Sequence, residues 1–302
     1  MNALTRIWSD GRRAERIAYA VAAALFLSGT AHALVLIVTG GSWLGPLSMR
    51  KAVTFGLSFG LTLASVAWAT SFLTMRPRLR TALLGAFAAA SVIEVVLVSM
   101  QTWRGVPSHF NFETPFDNVV SMTLAAGGGV IILTVVGFTA TALVEPGPDA
   151  PSLRLAVRAG LVVLLVALAT GAVMIGRGVV AARGGDPQPA YTTAGSLKPL
   201  HAVAMHAILV LPALAWLLRF TPHPETHRMR IVKTAVAADA VLTAVIGVES
   251  FTGIDPTAAP LPLLALSALA AAVLAGTGIH ALSGIEPAVR FVRVLSGKAR
   301  GR

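Results

Sequence analysis

The sequence has no cysteine and only two tyrosines among 302 residues, and charged side chains make up just 12% of it. Without cysteine there can be no disulfide, no thiolate zinc site and no iron–sulfur cluster in any compartment. So little charge excludes an ordinary soluble surface. What fills the space is hydrocarbon: 55% of residues are hydrophobic, and the mean hydropathy is +0.76.

A bilayer core about 30 Å thick requires roughly 20 apolar residues per helix. The chain supplies eight such windows, at about 17–39, 52–75, 81–100, 118–143, 155–177, 199–219, 231–253 and 260–282. They are too long and too evenly apolar for barrel strands, and in lipid only helices or closed barrels satisfy the backbone. The sequence therefore predicts an all-α integral membrane protein with eight transmembrane helices.

A net charge of +11 would point to nucleic acid in a soluble protein, but here the charge follows topology. Eighteen of the 24 Lys and Arg fall before span 1, after spans 2, 4 and 6, or in the tail. Only Arg50, Lys51, Arg104, Arg177, Arg183 and Lys198 lie on the other side. The positive-inside rule then predicts a cell inner membrane protein with both termini cytoplasmic, whose partner is the lipid bilayer and not nucleic acid. Ala31-His32-Ala33 has the form of a signal-cleavage site. Its apolar run is longer than a signal peptide uses, so the first span is expected to be retained.

The chain also echoes itself. A shift of 148 lays Ser48, Arg50, Leu61, Leu63, Ala67, Trp68 and Phe72 on Ser196, Lys198, Leu209, Leu211, Ala215, Trp216 and Phe220. A shift of 153 lays Arg80, Thr81, Ala82, Val92 and Ile93 on Lys233, Thr234, Ala235, Val245 and Ile246. Arg154-Leu155-Ala156 likewise repeats Arg16-Ile17-Ala18. The pattern predicts one membrane domain made of two four-helix halves, 1–146 and 147–302. An even number of crossings gives both halves the same orientation, a parallel repeat about an axis along the membrane normal.

Ionisable groups in hydrocarbon are costly, so each is a functional candidate. From the helical rise, His32, Glu94 and His206 lie at one depth, roughly 9 to 10 Å below the outer surface. Around them are the shallower His201 and Glu249 and a rim of Arg50, Lys51, Arg104, His109, Lys198 and Tyr191. The outer segment 101–117 is rich in Arg, His, Asn, Asp and aromatics and is expected to fold back over the bundle. Gly56 and Gly60 form a small-residue face for helix packing. Asp239 is a candidate proton-path residue in span 7, His280 is read as interfacial, and residues 287–302 suit a short amphipathic helix on anionic lipid.

Across 48–59, 101–117 and 195–212 the sequence resembles a group of multi-pass bacterial membrane proteins. That resemblance implies the fold and carries no chemistry. Eight spans in two groups of four also resemble haem A synthase in architecture alone, because that family's histidine pattern and cysteine-containing outer loop do not appear. The cofactor stays open, with haem held by His32 and His206, or a divalent metal, as the candidates. His201 and His206 are about 140° apart around a helix, so they do not readily chelate one ion.

Three functional readings stay open. The first is a membrane-embedded enzyme acting on a lipophilic or anionic small molecule in an outward-facing pocket between the halves. Glu94, His32 and His206 would be its catalytic groups, and Arg50, Lys51, Lys198 and Arg104 its anion clamp. The second is a small-molecule or proton-coupled transporter using the same pocket, and the third a haem-binding or accessory subunit.

Overall fold

The computed structural model describes residues 11–285 except 46, 146, 148–149, 185–189 and 191–194. Tyr191 and the tail 287–302 lie outside the described residues. Among those described, eight long helices are apolar enough to cross a membrane, and no strand occurs. They are α1 (Arg13–Thr39), α2 (Arg50–Ser71), α3 (Pro77–Trp103), α4 (Pro115–Val144), α5 (Pro151–Arg183), α6 (Lys198–Leu218), α7 (Glu225–Thr252) and α8 (Leu261–Ser283). This is the architecture of a multi-pass membrane protein. Its outward surface agrees, since Leu27, Leu34 and Leu133 are more than 60% exposed, a chemistry that suits lipid and not water.

Local chemistry sets the helix ends. Pro77, Pro115 and Pro151 each open a helix, where the missing N–H costs nothing. Thr114 caps α4 by accepting from the Asp117 amide at 3.1 Å. Gly40 and Gly253 close α1 and α7 in the left-handed conformation, at φ 63° and 77°. Helices run past the apolar windows wherever no proline or capping glycine stops the backbone ladder. Thus α5 extends to Arg183 instead of ending near 177, and α3 begins at Pro77 instead of 81.

Helix packing is similar within residues 13–144 and within 151–283, with one difference. In the first set α1 contacts α2 and α3, α2 contacts α3, and α3 contacts α4; in the second α5 contacts α6 and α7, α6 contacts α7, and α7 contacts α8, and α8 also touches α6. Contacts of α4 with α5 and of α2 with α6 join the two sets. Trp68 and Trp216 meet edge to face across the α2–α6 contact, with ring centroids 6.0 Å apart. Each also packs edge-on against the aromatic four residues on, Phe72 at 5.3 Å and Phe220 at 4.8 Å.

The glycine face on α2 packs on α1. A Cβ at Gly56 would fall 2.5 Å from the Gly29 Cα, and one at Gly60 would fall 2.7 Å from the Ala22 carbonyl oxygen. Gly56-Leu57-Ser58-Phe59-Gly60 also spells the Gly-x-Ser-x-Gly of a hydrolase nucleophile elbow, but it lies inside a helix and not on a strand-to-helix turn. Its glycines serve packing. At the opposite end of α2, Arg80 is 2% exposed and donates to the carbonyls of Thr70 at 2.7 Å and Leu73 at 2.6 Å. Its pairing with Glu15 at 3.3 Å ties α1, α2 and α3 together.

Candidate functional site

The first turns of α2 and α6 bring Arg50, Lys51 and Lys198 together, close enough for their charges to act on one another. None of the three side chains has an acidic or hydrogen-bonding partner among the described residues. Lys51 also acts on His109, whose ring lies 5.3 Å from Phe55 of α2. Burial, with the Lys51 charge beside it, pushes the His109 imidazole down to about 3. The ring is therefore neutral at pH 7, and its Nδ1 shares a hydrogen bond of 2.9 Å with Ser108 Oγ.

The segment between α3 and α4 reaches this position because it folds back over the bundle. Phe110 adopts φ 62°, unusual for a bulky residue, and its ring lies over Gly178 of α5, where no Cβ would fit. Ser121 of α4 donates to the Asn111 carbonyl at 3.0 Å and accepts from the Asn111 amide at 3.1 Å. Between His109, Phe110, Phe112, Ser121 and Ile175 is a cavity with room for about one water. Asn111 is fully buried, and its Nδ2 donor has no partner among the described residues.

Arg104 is engaged elsewhere. It donates to Asp117 at 2.6 Å and to Gln101, and its guanidinium lies 4.8 Å from the Phe116 ring centroid. Asp117 also accepts from Gln101 at 2.8 Å and from Thr114 Oγ1 at 2.7 Å. The Arg104 charge thus serves an internal pair that fastens α3 to α4.

The deeper layer is not one constellation. Glu94 is 4% exposed and faces α4, where a Cβ on Gly127 would come within 2.8 Å of its Oε1. It makes no direct hydrogen bond to His32, His206, Arg104 or Lys51. His32 has both nitrogens occupied: Trp103 Nε1 donates to Nε2 at 3.0 Å, which makes Nδ1 the donor to the Ser28 carbonyl at 2.7 Å. No lone pair remains there for a haem iron. His206 is exposed on the outside of α6 and bonds the Ala202 carbonyl at 2.6 Å. His201 turns the other way, bonding the Ala167 carbonyl of α5 at 2.7 Å with its ring against Gly171.

Glu249 is 1% exposed, and both its carboxylate oxygens are without partners among the described residues. Asp239 Oδ2, Thr243 Oγ1 and Ser250 Oγ on the same helix share that condition. Positions 239, 243 and 250 lie on one face of α7.

The sole set of three acid or imidazole side chains able to share a metal ion among the described residues is His223, His227 and His280. It lies at the opposite end of α6 from Lys198. The outer histidines and carboxylates thus form no metal centre of this kind, because their helices point them in different directions. His223-Pro-Glu-Thr-His227 was the readable signal, two histidines four apart at a helix start. Its third member, His280, comes from α8 and cannot be inferred from spacing.

No protein family, curated protein or solved structure matches the chain.

Proposed function

We propose that this protein binds an anionic, lipophilic small molecule at the outer face of the membrane, between α2 and α6, and acts on it there as a membrane-embedded enzyme. The observation that carries this reading is the set Arg50, Lys51 and Lys198, three neighbouring cations with no anionic partner among the described residues. Mutually repelling charges at a membrane surface are unfavourable unless a ligand neutralises them. His109 stands beside Lys51 as the acid–base group nearest the bound anion. Asn111 Nδ2 supplies a buried donor, and Glu94 a carboxylate deeper in the bundle.

The reading includes a parallel duplication. It is supported by the similar helix packing of the two sets and by Trp68 and Trp216 meeting each other across α2 and α6, as equivalent residues beside a two-fold axis do. In this arrangement Arg50 and Lys198 are repeat equivalents, so the anion sits on the axis between halves. The distribution of Lys and Arg supports an orientation with the cluster outside and both termini in the cytoplasm.

Transport is the second reading, favoured by the buried oxygens of Asp239, Thr243 and Ser250 on one face of α7, which have no partner among the described residues. Such a line can carry protons or a cation. Equilibrium binding in neutral detergent tests the shared premise: dodecyl phosphate should bind, and the zwitterion dodecylphosphocholine should bind at least about tenfold more weakly. Equal binding of the two would remove the premise. Accumulation of the phosphate ester in sealed proteoliposomes, without chemical change, would favour transport over catalysis.

A further inference from the structure

Three histidines that the outer site does not use meet at the other end of the bundle. His223 lies in the connection between α6 and α7, His227 in the first turn of α7 and His280 in the last turn of α8. One ligand nitrogen from each lies within 4.8 Å of the others. The His223 and His280 rings are parallel, with centroids 5.1 Å apart, while His227 stands edge-on to them at 4.5 and 5.9 Å. None of their ring nitrogens makes a hydrogen bond among the described residues, and His223 Nε2 is buried.

The backbone holds these rings in place. Pro222 and Pro224 flank His223 and restrict its connection. Thr221 Oγ1 bonds the Leu218 carbonyl at 2.7 Å, and Arg228 donates to the Thr221 carbonyl at 3.1 Å. Gly284 lets the end of α8 approach, since a Cβ there would lie 3.2 Å from Thr221 Cγ2 and 3.5 Å from His223 Nε2.

We propose that His223, His227 and His280 form a binding site for a divalent transition metal of the zinc type. Metal–imidazole bonds of about 2.0–2.1 Å put tetrahedral ligand atoms about 3.3 Å apart, which a small rotation of these rings reaches. Three neutral imidazoles without a carboxylate suit zinc, cobalt, nickel or copper and do not suit magnesium or calcium. The Arg228 charge opposes a bare cation. It favours an anionic fourth ligand, and the Arg228 Nε has no hydrogen-bond partner among the described residues.

The consequence is mechanical. The buried residues of α8 are only Ala270 and Ala281, so little apolar packing holds this helix. A metal shared by His280, His223 and His227 fastens it to the α6–α7 connection. The site is independent of the outer cationic cluster, and either can fail without the other.

The test uses full-length protein without a histidine tag, in neutral detergent, stripped with chelator and titrated with Co²⁺. One equivalent should bind with the visible absorption of a four-coordinate nitrogen site, be displaced by one equivalent of Zn²⁺, and raise the unfolding temperature. His280→Ala and His227→Gln should each weaken binding at least about 100-fold, more than loss of an outer-sphere partner does, while His206→Ala changes nothing. Because the His280 ring is exposed, the metal-free His280→Ala protein should unfold at the parent temperature. The proposal is overturned if no saturable one-equivalent binding occurs, if binding survives both substitutions, or if His206→Ala abolishes it equally.

Discussion

The Glu94 carboxylate occupies the space that a side chain on Gly127 would need, with Oε1 2.8 Å from the position of that missing Cβ. A glycine on α4 thereby makes room for a buried acid on α3, and the pair is coupled by volume. Gly127→Ala should cost about 1–3 kcal/mol of stability through overpacking, and combining it with Glu94→Ala should recover most of that loss. Thermal unfolding of the two single variants and the double variant measures the coupling; additive losses would contradict it.

Glu94→Gln keeps the shape and should leave unfolding unchanged. If the carboxylate moves protons in the proposed reaction, the same change should abolish turnover. Wild-type turnover in Glu94→Gln would return Glu94 to the role of a tolerated packing residue.

Arg104 belongs to a structural pair with Asp117, which is 3% exposed. Arg104→Ala should lower stability by about 1–3 kcal/mol, because it strips a partner from a buried acceptor. Dodecyl phosphate binding should change little. A loss of binding with unchanged stability would instead restore Arg104 to the anion clamp.

His109 gives a pH signature. Its folded value of about 3 is below the ordinary imidazole value of 6.5, so the unfolded chain takes up the proton first. Stability from this residue is complete above pH 6.5 and is lost as pH falls from there toward 3. Imidazole NMR shifts should show no titration of His109 between pH 8 and 5 in the parent. In Lys51→Gln the titration should move upward, since one of its two causes is gone.

The proposed topology rests on charge and can be measured separately. Reporter fusions at Arg78, Asp149 and His227 should report cytoplasm, and fusions at Ser108 and Gly185 the exterior. A cytoplasmic Ser108 would invert the orientation and put the cationic cluster inside.

The fold was readable because its signal is long-range along the chain: roughly twenty apolar residues per span, repeated eight times, leave no other solvent than lipid. The back-folded outer segment was also readable, because Arg, His, Asn and Asp are too many for a plain connector. Which way the deep residues point was not readable. The helical rise gives His32, Glu94 and His206 a similar expected depth, but depth fixes only one coordinate, and rotation about each helix fixes the other. Thus Trp103 claims His32, Gly127 receives Glu94, and His206 faces outward. The His223, His227 and His280 set shows the same limit, because only the return of α8 brings its third member close.

The central claim is that Arg50, Lys51 and Lys198 are held together for an anion, and charge removal tests it most directly. Replacing Lys51 and Lys198 together by Gln removes repulsion in the empty protein, so the double variant should unfold at the parent temperature or higher. Its affinity for dodecyl phosphate should fall by at least about tenfold, the loss of one or more charge-assisted contacts. A variant that unfolds earlier yet binds dodecyl phosphate as tightly as the parent would contradict the account, because the lysines would then be structural.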